Sequence, residues 1–169
     1  QIGKSLGAKV IAAASTDEKL AFCKRNGADF GVNYAREDLK ERTKALTDGA
    51  GANVIFDPVG GAYSEPALRA IAWEGRFLVV GFAAGDIPKL PLNLALLKGC
   101  SIVGVFWGQF AMREPGKNRE HARRILASVA RGELAPRIDS TFDFAHAAAA
   151  LERMEQRKVL GNVVLTPRE

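Results

Sequence analysis

The chain has 169 residues, 47% of them hydrophobic and 25% charged, with a formal net charge of +5. That length suits one soluble domain with a real core, and the composition excludes a disordered chain. No apolar run approaches the roughly 18–20 residues of a membrane span. The cations are spread along amphipathic segments and are not interleaved with aromatics, which reads as a solvated surface and not as a nucleic-acid face. Cys23 and Cys100 lie far apart without a CxxC partner, so they read as core-facing thiols. No basic-then-apolar signal pattern opens the chain, and a reducing cytoplasm is the expected compartment.

Lys9–Ala14 (KVIAAA) is an apolar run of strand length. Ser15, with Glu18 three residues on, has the spacing of a capping box and starts a helix. Gly27 stops that helix where a positive φ is often required, and a short strand follows up to Tyr34. In a dinucleotide-binding fold an acid at the end of the first of these strands holds the adenosine ribose hydroxyls. Here the strand ends in Ala14, followed by Ser15 and Thr16, with Lys19 one turn into the helix. Two hydroxyls and a cation in place of an acid suit a ribose 2′-phosphate, which points to NADP(H) over NAD(H). Taken alone, Ser15 is equally a plain helix cap.

Glu37–Thr47 reads as a helix, Asn53–Asp57 as a buried strand broken by Pro58, and Ser64–Trp73 as a helix with Pro66 in its first turn. Arg76–Gly81 and Ser101–Trp107 are expected strands, with a short helical segment at Leu92–Leu97 between them. A long helix over Lys117–Arg131, a strand near Arg137–Phe142, a helix over Phe144–Arg157 and a strand at Asn162–Leu165 complete the chain. The alternation predicts an α/β class: a Rossmann-like, doubly wound parallel sheet. The opening QIGKSLGAK reads as the tail of a helix, and no G-x-G-x-x-G follows. The sheet is therefore expected to lack its first strand and glycine-rich loop. In the order 3-2-1-4-5-6 that strand is the central one, so Lys9–Ala14 and Asn53–Asp57 are expected to share no ladder.

The ordered series GAKVIAAASTDEKL, GADFGVNY, VIFDPVGG, GRFLVVGFAAG and GNVVL resembles the zinc-independent quinone oxidoreductases, the zeta-crystallin-like branch of the medium-chain dehydrogenase/reductase superfamily. The expectation is the C-terminal half only of such a protein. The resemblance implies that residues 1–136 form a truncated nucleotide-binding domain and that 137–169 return to the catalytic domain. It implies that Ser15 and Lys19 grip the 2′-phosphate, with Thr16 nearby, and that Tyr34 packs at the cofactor's phosphate end. Val59 and Gly60 then approach the nicotinamide ribose; Gly81, Phe82 and Ala83 lie along the nicotinamide, where Phe106 and Trp107 contribute carbonyl or ring contacts; Asn162 reaches back to the cofactor. Taken alone, Tyr34 is a strand-end surface aromatic, and Phe106 and Trp107 are core or interface residues.

No catalytic side chain and no metal site is implied. His121 and His146 sit on expected helices and read as ordinary surface or helix-end residues. The activity implied is NADPH-dependent hydride transfer to a quinone or activated enone. Two other readings stay open: a non-catalytic nucleotide-binding or assembly module, and an enoyl-thioester reductase. The family also implies a homodimer through the strand at 101–107, whose residues SIVGVFW are apolar and uncharged. The competing reading is a monomer whose edge is covered by Gly108–Lys117.

Overall fold

A computed structural model describes residues 1–156 and 158–167. Arg157, the expected end of a helix, lies outside the described residues, as do Arg168 and Glu169. In chain order the helices are α1 (Ile2–Ser5), α2 (Asp17–Arg25), α3 (Leu39–Ala45), α4 (Ser64–Arg69), α5 (Asn93–Lys98), α6 (Trp107–Arg113), α7 (Pro115–Ala130) and α8 (Ala147–Glu155). The strands are β1 (Ile11–Ala14), β2 (Phe30–Asn33), β3 (Ala52–Asp57), β4 (Ile71–Val79), β5 (Ser101–Gly104), β6 (Ile138–Asp143) and β7 (Asn162–Thr166). The chain divides into two compact units, one of Lys9–Arg119 and one of Gln1–Ala8 with the chain from Glu120 onward.

In the first unit every strand pair is parallel, as an α/β chain with crossover helices requires. β1 pairs with β2 from Ile11↔Phe30 to Ala14↔Asn33. β3, β4 and β5 form a separate three-stranded sheet in that order. Among the described residues β1 and β3 share no ladder, which agrees with the sequence expectation for that pair.

The register Ile55↔Phe77↔Ile102 turns one face of the larger sheet toward α4 and α5. There Leu68, Ile71, Phe77 and Leu94 form a buried cluster, with Ile55, Val79, Leu90 and Cys100 packed on it. Phe77 is only 1% exposed, and burying such a side chain stabilises the fold by about 1.5–3 kcal/mol.

Two expected boundaries are corrected. Trp73 stands in β4 and not in a helix, because α4 ends at Ala70, whose carbonyl accepts from the Ala52 amide (3.0 Å) and so joins the ladder side. Gly51 permits that close approach: its φ is +90° and a Cβ there would lie 2.5 Å from the Ala70 carbonyl oxygen. Trp107 likewise begins α6 and does not end a strand. The apolar run SIVGVFW has strand character throughout, yet its last rung is the Val105 amide on the Val79 carbonyl (2.9 Å). β4 ends at Val79, so the described residues offer no further rung there, and the chain turns.

In the second unit β6 and β7 pair in parallel. Asp139, on β6, accepts from Arg153 Nε (2.8 Å), the Leu160 amide (3.0 Å) and Ser140 Oγ (3.1 Å). The Arg153 hydrogen bond, aided by the Leu160 amide, holds the Asp139 carboxyl down at about 2.

Candidate cofactor site

The site begins where β1 ends. Thr16, not Ser15, caps α2: its hydroxyl accepts from the Lys19 amide at 3.2 Å. The capping-box reading of Ser15 and Glu18 is corrected by one residue. Thr16 is the last extended residue (φ −139°, ψ 151°), so its side chain and not that of Ser15 reaches the third helical amide. The Ser15 hydroxyl is left without a hydrogen-bond partner among the described residues, and the half-buried Lys19 has no carboxylate partner there. A hydroxyl and an ammonium, both unengaged among the described residues, thus stand on adjoining turns at this strand end.

The Tyr34 amide donates to the Ala14 carbonyl (3.1 Å), which sets Tyr34 beside the same strand end. Its ring meets that of Tyr63, in the turn after β3. Asp17, Asn33 and Arg36 form a polar knot next to these groups. Asp17 accepts from Asn33 Nδ2 (2.6 Å) and from Arg36 Nη1 (2.9 Å), and the Asn33 amide donates to Glu37 (2.7 Å).

At the end of β3, Asp57 organises the second part of the site. One of its oxygens accepts from the Val59 and Gly60 amides (3.0 and 2.9 Å), and the other from Ser64 Oγ (2.6 Å). Gly60 has φ +71°, and a Cβ there would lie 2.9 Å from the Phe82 ring. The Ala83 amide donates to the Pro58 carbonyl (3.1 Å) and the Ala84 amide to that of Val59 (2.8 Å). The turn after β3 and the loop through Gly81, Phe82 and Ala83 are thus one hydrogen-bonded body. Phe106 and Trp107 follow β5 and are both mostly exposed, with Trp107 Nε1 donating to Asn118 (3.2 Å). Asn162 belongs to the second unit, where its amide donates to the Arg137 carbonyl (2.9 Å).

The carboxyl ends of parallel strands are where open α/β sheets bind ligands. Ser15, Thr16, Lys19 and Tyr34 gather at one such end, and Val59, Gly60, Gly81, Phe82 and Ala83 at another. Sequence reasoning missed Asp57, Asn33, Arg36 and Tyr63. An Asp at a strand end before a glycine turn signals an Asx turn, so Asp57 was within reach; nothing local marks Tyr63. Among the described residues no group of three or more His, Cys, Asp or Glu side chains is placed to hold a metal ion, so the residues present do not fit a zinc centre.

A family described as zinc-binding dehydrogenase matches residues 1–125. The chain belongs to that family. A relative from Nematostella vectensis, quinone oxidoreductase-like protein 2 homolog, is 41% identical over 96% of the chain and 45% of its own length. Among solved structures, an NAD-dependent alcohol dehydrogenase superposes with a TM-score of 0.86 at 31% identity, over 99% of this chain and 46% of that one. The quinone oxidoreductase of Escherichia coli complexed with NADPH gives 0.88 at 25% identity, over 98% and 52%. The likeness to quinone oxidoreductases corrects one expectation. It runs through nearly the whole chain and is not the mark of a C-terminal half only. The chain spans about half the length of the proteins it matches.

Proposed function

We propose that this member of the family works in an NADPH-dependent reductase that delivers hydride to a quinone or activated enone. The observation that carries this reading is the unengaged pair Ser15 and Lys19 beside Ala14, a strand end with no acid to hold ribose hydroxyls. The likeness to quinone oxidoreductases supports it.

NADPH, when bound, supplies the hydride. Ser15 and Lys19 bind its 2′-phosphate, Thr16 fixes the helix start beneath them, and Tyr34 packs at the phosphate end. Val59 and Gly60 let the backbone come close to the nicotinamide ribose, in a turn made rigid by Asp57. Gly81, Phe82 and Ala83 line the nicotinamide, and the exposed Phe106 and Trp107 supply carbonyl or ring contacts there.

The edges that β1 and β3 leave unpaired among the described residues suit one further parallel strand, with a glycine-rich turn on the pyrophosphate. Residues 1–136 serve the nucleotide and 137–169 the catalytic domain. The two free cysteines suit a reducing cytoplasm. The exposed edge strand β5 suits a twofold pairing of two copies. Steady-state oxidation of NADPH and NADH with quinones and enones tests the activity. NADPH-dependent turnover is expected; no turnover with either cofactor, or equal use of both, contradicts the proposal.

A further inference from the structure

The knot around Asp17 contains one fixed charge and one movable one. Asp17 is tied to β2 through Asn33, which is 4% exposed, and so cannot leave. Among the described residues the Arg36 guanidinium, on a side chain 75% exposed, bonds to nothing more than the second Asp17 oxygen. The β1–β2 register Ala14↔Asn33 places Ser15 and Tyr34 abreast. Two residues beyond each, Asp17 and Arg36 meet at 2.9 Å. The pair therefore stands at the rim of the group that binds the 2′-phosphate in the reading above, on which this inference rests.

We infer that Arg36 is a specificity residue for the 2′-phosphate, held in reserve by Asp17 and transferred to the phosphate when the cofactor binds. A guanidinium pairs with phosphate through two parallel hydrogen bonds, and the phosphate carries more charge than the carboxylate it replaces. Asp17 opposes the exchange in two ways: it competes for Arg36, and its fixed negative charge stands close to the incoming phosphate. It sets how much Arg36 adds to the preference that Ser15 and Lys19 establish. NAD(H), with a free 2′-hydroxyl, offers Arg36 nothing and leaves the pair closed.

Calorimetric titration of the protein with 2′,5′-ADP and with 5′-AMP separates these roles, since the two ligands differ only by the phosphate in question. Arg36→Gln is expected to weaken 2′,5′-ADP about tenfold, roughly one charge-assisted hydrogen bond, and to leave 5′-AMP unchanged. Arg36→Lys recovers part of that loss. Asp17→Asn, which still accepts from Asn33, is expected to tighten 2′,5′-ADP by about threefold to tenfold with no effect on 5′-AMP. Lys19→Met serves as the control for the site itself. If it weakens 2′,5′-ADP while Arg36→Gln does not, the site stands and the inference is overturned. Equal losses for both ligands in Arg36→Gln mark a structural role and also overturn it. A wild-type protein that does not distinguish the two ligands overturns both the inference and the cofactor reading.

Discussion

The rings of Tyr34 and Tyr63 meet with centroids 4.4 Å apart and planes inclined at 48°. Tyr34 follows β2 and Tyr63 follows β3, so this contact joins the ends of two sheets that share no ladder among the described residues. Tilted aromatic pairs contribute about 0.5–1.5 kcal/mol beyond the area they bury. A double-mutant cycle with Tyr34→Ala and Tyr63→Ala, read by urea unfolding, is expected to give a coupling in that range. Additive losses would show that the rings touch without stabilising the junction.

Much of the fold is legible in the sequence because it rests on local signals. The run before Ala14, the glycine at position 27 and the DPVGG turn each mark the end of an element. What is not legible depends on partners far along the chain. Trp73 has a helical neighbourhood in sequence, and only the pairing of Ala52 with Ile71 makes it part of a strand. Trp107 lies in an apolar run, and only the end of β4 stops its strand. The cap at Thr16 shows the same limit on a smaller scale: Ser15 and Thr16 have the same chemistry, and the backbone angles decide between them. In the site, Ser15, Lys19 and Tyr34 were visible as residue types at a strand end. The Asp17–Asn33–Arg36 knot was not, because it forms only when β1 and β2 align.

Among the described residues β5 pairs on one side only, and all four of its residues are exposed. An apolar, uncharged edge of this kind favours pairing with another chain, and a twofold axis makes the contact self-complementary. Val103, 39% exposed, is the position at which a charge interferes most directly. Light scattering is expected to show a dimer for the wild type and a monomer for Val103→Lys. A wild type that is already monomeric at concentrations of about tens of micromolar, well within reach of a specific homodimer, contradicts the twofold reading.

The Asp139 carboxyl is held at about 2 in the fold, below its ordinary value of 3.8, chiefly by Arg153 and then by the Leu160 amide. A lowered carboxylate pKa means that the unfolded chain binds more protons in this range. The contribution to stability is therefore complete above pH 3.8 and disappears as the pH falls toward 2. Melting temperatures of the wild type and Asp139→Asn, compared across this window, are expected to differ at neutral pH and to converge in acid. A difference that does not change with pH would place the role of Asp139 in packing alone.

In the proposed cofactor site, the strand end at Ala14 selects the 2′-phosphate through Ser15 and Lys19. Titration of the protein with NADPH and with NADH, followed by nicotinamide fluorescence in the wild type and in Lys19→Met, tests it most directly. The wild type is expected to bind NADPH at least about tenfold more tightly than NADH, the scale of one charge-assisted hydrogen bond, and Lys19→Met to narrow the difference by weakening NADPH alone. Equal affinity of the wild type for the two cofactors, or a preference undiminished in Lys19→Met, would contradict this role of the strand end.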